Sequence, residues 1–156
     1  MPAWDFTSHF DVVLRLSVAS VLGALVGLER QLHGRWAGLR THMMVALGAA
    51  IFVTTSQELT MKKAADVERS ADAISRVIQG IAAGIGFLGA GTILKLTERM
   101  EIKGLTTASS IWLAAAVGTA SGLALYALAC AGTLISLIVL AVLRPYEKLF
   151  DREPRK

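Results

Sequence analysis

The chain has 156 residues, 54% of them hydrophobic and 18% charged, with a formal net charge of +4. Mean hydropathy is +0.55, whereas a soluble domain is about 45–50% apolar and about 25% charged, so composition excludes an ordinary soluble domain. The single cysteine, Cys130, excludes an internal disulfide framework and a cysteine-built metal cluster.

The charges are clustered, and the gaps between them define the predicted elements. No Asp, Glu, Lys or Arg occurs over 16–28, 41–57, 77–94 or 104–143. A membrane-spanning helix needs about 20 mainly apolar residues. The gaps predict spans over 10–28, 39–56 and 76–95, and the last gap holds two, 105–120 and 123–143, broken at Ser121-Gly122. The expected fold is therefore an all-α, polytopic bundle of five transmembrane helices, with four as the fallback, forming one domain.

In the first span, Asp11 and Arg15 stand four residues apart and can pair along the helix. Ala19, Gly23 and Gly27 repeat at the same spacing and form a small-residue face of the kind that lets helices approach closely. Glu29 and Arg30 end this span, and Arg40, Thr41 and His42 open the next. These groups are expected to meet at one membrane face, where carboxylate, guanidinium and imidazole can bind a small ion. Imidazole ordinarily titrates near neutral pH, so His42 can transmit protonation there. The segment 57–75 is polar and is expected to form a short surface helix.

The third span opens with Arg76, which can pair with Asp72 one turn back, and carries Gln79. It then reads Gly80, Gly84, Gly86, Gly89 and Gly91 within twelve residues. The G-x-G-x-x-G string in this run is not a dinucleotide fingerprint, because that motif needs a preceding strand and a following acid. Gly80, Gly84 and Gly91 share one helix face with Phe87, and the run is read as helix packing. A backbone-lined cavity is the functional alternative. Before the fourth span, Thr106 or Thr107 is expected to cap the helix, with Lys103 beside an anion-friendly N-terminus.

Lys and Arg set the orientation. Arg30, Arg35, Arg40, Lys95, Arg99, Lys103 and the tail from Arg144 to Lys156 fall on one side, and this bias predicts an external N-terminus and a cytoplasmic C-terminus. The first ten residues hold Asp5 and no Lys or Arg, unlike a secretory signal. No P-loop, metal-ligand pattern or nucleophile–base constellation is visible. The expectations are accordingly no enzyme activity, no cofactor, no resident metal and no nucleic-acid partner.

The strings Gly27-Leu-Glu-Arg30, Ala37-Gly-Leu-Arg-Thr-His42, Ser75-Arg-Val-Ile-Gln-Gly80, Gly84-Ile-Gly-Phe-Leu-Gly-Ala-Gly91 and Lys103-Gly-Leu-Thr-Thr-Ala-Ser109, with Ile111-Trp112 after them, resemble the MgtC/SapB family in order and spacing. The resemblance covers roughly 10–143 and is nearest the short YhiD-like branch, without the C-terminal soluble domain many members carry. It implies a multi-pass protein of the bacterial inner membrane linked to magnesium limitation, acid stress and virulence. It implies a non-enzymatic modulator of other membrane complexes, such as ATP synthase or transport ATPases. A small oligomeric channel or carrier for Mg²⁺ or protons is the alternative. Family motif positions fall on Arg15, Glu29, Arg40, Thr41, His42, Arg76, Gln79, Lys103, Thr106 and Thr107, with Asp72 as the external acid at a spacing one residue longer. Expected partners are the lipid bilayer, a second copy of the chain and a larger membrane complex.

Overall fold

Every long charge-free stretch becomes helix in the computed structural model, which describes residues 6–63, 67–96 and 101–143. The elements run α1 (Phe6–Leu32), α2 (Leu39–Lys63), α3 (Val67–Gly91), β1 (Leu94–Leu96), β2 (Glu101–Lys103), α4 (Leu105–Gly122) and α5 (Tyr126–Val142). Three stretches, His9–Leu32, Leu39–Thr60 and Ser70–Gly91, are long and apolar enough to cross a membrane. The remaining helices, α4 and α5, have 18 and 17 residues. At 1.5 Å rise per residue they reach roughly 25–27 Å, just short of a hydrocarbon core of about 30 Å.

Two expectations change. The polar segment 57–75 is not a separate surface helix: α2 continues to Lys63 and α3 already begins at Val67. Helical hydrogen bonding continues past the apolar stretch because it is satisfied within the segment. The third span also ends at Gly91 rather than at residue 95, because β1 pairs antiparallel with β2 in a two-stranded hairpin, Leu94 opposite Lys103 and Leu96 opposite Glu101.

The core is inside-out relative to a soluble protein. Its buried residues are mostly small, including Ala19, Ala46, Ala49, Ala50, Ala114 and Ala115, while Phe10, Phe52, Phe87, Leu128 and Leu134 face outward. Lipid tails are as apolar as these side chains, so close packing of helices is the remaining driving force. It is concentrated where α1, α2 and α4 meet. A Cβ added at Gly23 would lie 2.7 Å from the His42 carbonyl oxygen, and one at Gly27 would lie 2.8 Å from Leu39 Cα. On α4, Gly118 abuts the backbone of Ala46, and Gly122 that of Ala50. Outside this trio, α3 leans on α4 and α2, and α5 on α4 and α1.

Arg15 locks the end of this core where α4 terminates. It pairs with Asp11 at 2.5 Å and donates to Gln57 Oε1 at 2.7 Å and to the Gly122 carbonyl at 3.1 Å. Thr54 donates to the same carbonyl at 3.3 Å. One guanidinium thereby joins α1, α2 and the last turn of α4, whose dipole is negative at that point. Arg15→Met is expected to cost roughly 1–2 kcal/mol, read as a lower thermal midpoint in detergent. An unchanged midpoint would show that the clasp carries no stability.

Candidate functional site

At the opposite end, α1 finishes, α4 begins and α5 finishes. Gly34, with φ of 64°, closes α1, its N–H bonded to the Gln31 carbonyl at 3.0 Å. Gln31 Oε1 then accepts the Leu39 N–H at 3.1 Å, which fixes how α2 starts. This turn holds Glu29, Arg30, His33 and Arg35 against Thr106 of α4 and Val139, Leu140 and Leu143 of α5, around a pocket of about 110 Å³.

Glu29 is mostly buried. His33 Nδ1 lies 2.8 Å from Glu29 Oε1 and 2.7 Å from the Glu29 carbonyl, so both oxygens accept from that ring nitrogen. Glu29 Oε2 is buried, accepts no hydrogen bond among the described residues and sits 3.6 Å from Arg30 Nη1. Arg30 is only 3% exposed. Arg30 and Arg35, both always charged, line the pocket together.

Beside the pocket lies His42, fully buried on α2. Its Nδ1 is 2.9 Å from the Gly38 carbonyl, which assigns a proton to that nitrogen. Its Nε2 is 3.0 Å from Ser110 Oγ, and that hydroxyl lies 2.8 Å from the Thr107 carbonyl. His42 therefore ties α2 to the first turns of α4.

The predicted polar cluster is thus divided. Glu29, Arg30 and Thr106 gather at the pocket, and His42 and Thr107 are buried next to it. Arg40 and Thr41 are exposed and take no part in the pocket lining. Lys103 ends β2, and its side chain lies outside the described residues. Neither Thr106 nor Thr107 caps α4: the N-cap is Gly104, with φ of 100° and no side-chain cap bond. Asp72 and Arg76 are both exposed, with no ion pair between them among the described residues, and Gln79 donates to Ser75 Oγ at 3.4 Å. No group of three His, Cys, Asp or Glu side chains that could hold a metal ion occurs among the described residues. His33 and Ser110 were the missed members; the i,i+4 spacing of Glu29 and His33 was the signal available for the first.

The glycine run of α3 is divided too. Gly89 meets Ala108 of α4 at 3.5 Å, but among the described residues nothing lies within 4 Å of a Cβ built at Gly80, Gly84, Gly86 or Gly91. Among the described residues, no other helix packs on these four glycines. Gly80 and Gly84 instead line an open apolar groove of about 610 Å³ between α2 and α3, with Met44, Phe52, Ile81 and Leu88.

Outward-facing large apolar side chains, a small-residue core and charges confined to helix ends together define a helical membrane protein. The chain belongs to the MgtC family, whose model matches residues 16–149. Protein SrpB of Synechococcus elongatus is 41% identical over 142 residues, covering 86% of this chain and 76% of that protein. Protein MgtC of Salmonella typhimurium is 39% identical over 145 residues, 93% of this chain and 58% of that protein. The Escherichia coli protein named "Putative magnesium transporter YhiD" is 38% identical over 136 residues, 85% of this chain and 60% of that protein. The chain thus spans about three-fifths of the length of the latter two relatives. No solved structure matches it.

Proposed function

We propose that the chain is a non-enzymatic modulator of other inner-membrane complexes, with ATP synthase or transport ATPases as the partner class. We link it to adaptation to magnesium limitation, acid stress and virulence. Family membership and the name of the YhiD relative support the magnesium link. The observation that carries the modulator reading is the α2–α3 groove. Its Gly80 and Gly84 lie one turn apart on α3 with open space above them, the arrangement that admits the backbone of another transmembrane helix. Charge bias supports an external N-terminus and a cytoplasmic face for the Glu29–Arg40 turn.

The test is crosslinking in intact cells from Ile81→Cys in a Cys130→Ser background. An adduct with a distinct membrane protein is expected. A second copy of the chain in the adduct would make the groove a homo-oligomer interface, and no adduct would sink the reading. Gly84→Leu is expected to leave the isolated chain folded and to reduce adduct yield about tenfold or more, since bulky residues block such contacts.

The second reading, a small oligomeric channel or carrier for Mg²⁺ or protons, is favoured by the partly open pocket at Glu29 and Arg30. Reconstituted liposomes separate the two. Ion flux abolished by Glu29→Ala would make transport the function, and a tight membrane around folded protein would leave modulation.

A further inference from the structure

We infer that the pocket between the end of α1, the start of α4 and the end of α5 is a binding site for a phosphate group, of the kind carried by a phospholipid headgroup. The argument begins with its walls. One side presents Arg30, Arg35 and His33, and the other presents Thr106 from the first turn of α4. Arg30 is held at 3% exposure, so its guanidinium has little of the hydration that a surface arginine keeps. The first turn of a helix carries N–H groups with no intrahelical acceptor. Gly104 supplies no side chain to cap those of α4. Two arginines, a threonine and the first turn of a helix thus border one space, a residue set whose chemistry suits phosphate oxygens.

Size and surroundings agree. The space of about 110 Å³ equals about three or four water volumes, enough for one tetrahedral oxyanion. The third wall is aliphatic, formed by Val139 and Leu140 in the last turn of α5 and by Leu143, its C-cap. Val139 and Leu143 also face outward, so an acyl chain can run from the pocket along α5. The pocket lies where three helices end, which is headgroup depth for membrane-spanning helices, and basic pockets at that depth bind lipid headgroups. Glu29 also lines the pocket, with its carboxylate held beside His33 and Arg30. This inference is independent of the α2–α3 groove.

The test uses the full chain, delipidated in maltoside detergent. Phosphatidylethanolamine, phosphatidylglycerol, phosphate-free diacylglycerol and inorganic phosphate are titrated separately, read by thermal stability and native mass spectrometry. Either phospholipid is expected to bind at one per chain and raise the thermal midpoint, with diacylglycerol ineffective. Arg30→Gln is expected to weaken binding roughly tenfold or more. Because that substitution touches a buried group, Arg35→Gln and Thr106→Val provide variants at less buried positions, each expected to weaken binding several-fold in a folded protein. Inorganic phosphate acting with the same arginine dependence would support the site and assign it to a soluble phosphate. Diacylglycerol binding as well as the phospholipids, no binding at all, or phospholipid binding unchanged in folded Arg35→Gln and Thr106→Val would overturn the inference.

Discussion

Gly118→Ala is expected to be the most damaging single-methyl change in the protein. The added Cβ would overlap the Ala46 carbonyl and sit 2.7 Å from both Ala46 C and Cα. Those are backbone atoms, so no rotamer change on α2 relieves the contact, and truncating Ala46 would not help. One turn on, Gly122 holds the same pair of helices together, 2.8 Å separating a built Cβ from the Ala50 carbonyl oxygen. Overpacking costs about 1–3 kcal/mol where side chains can adjust, and this site lies at or above the upper end. The expected readout is a sharply lower thermal midpoint and loss of the monodisperse species in detergent. Gly84→Ala is the control, since its Cβ meets nothing. It should be neutral or stabilising by up to about 1 kcal/mol through helix propensity. Equal midpoints for the two variants would mean that α2 and α4 do not approach at Gly118.

Gly104→Ala is expected to come second, for a different reason. Gly104 has φ of 100°, and a Cβ there would also overlap the Thr92 carbonyl that follows α3. A left-handed conformation costs a non-glycine residue roughly 1–2 kcal/mol, and the overlap adds to it, so about 2 kcal/mol or more is expected. Gly34 separates the two contributions: its φ is 64°, but nothing lies within 4 Å of its built Cβ. Gly34→Ala should therefore cost only the backbone part. Differential scanning measurements that rank Gly34→Ala as equal to Gly104→Ala would remove Thr92 from the account. Since Gly104 starts α4, its substitution should also lower phospholipid retention at the Thr106 pocket.

The five helices were legible because charge placement at helix ends is dictated by the bilayer. Their lengths were less so. A membrane limits where charges may stand, but it does not stop a helix, so α2 and α3 extend through polar residues expected to form a separate surface helix. The hairpin was missed because its strands are three residues each, too short for alternation to register. The glycines show a deeper limit. Spacing reveals that a face is small, not which helix lies on it. Of the conspicuous run on α3 only Gly89 meets another helix among the described residues, while Ala114, Gly118 and Gly122 on α4, with the same four-residue spacing, form the close contact. The polar cluster was half legible for a similar reason. Arg40, Thr41 and His42 are consecutive, but each step turns about 100° around the helix, so the same short string holds two exposed residues and one buried one.

The alanine and glycine positions that dominate this core have an unusual response to mutation. Most protein interiors are damaged by truncation, which opens cavities in proportion to the volume removed. Here Ala19, Ala46, Ala50 and Ala114 have a single methyl to lose, so nearly every substitution at these positions inserts atoms. At these positions the interior can be wedged apart but hardly hollowed out, whereas Leu22, Val26, Val53 and Ile111 are the sites where truncation opens a cavity. Variation that the fold tolerates is then confined to the outer shell, where leucine, isoleucine, valine and phenylalanine are interchangeable to the surrounding lipid.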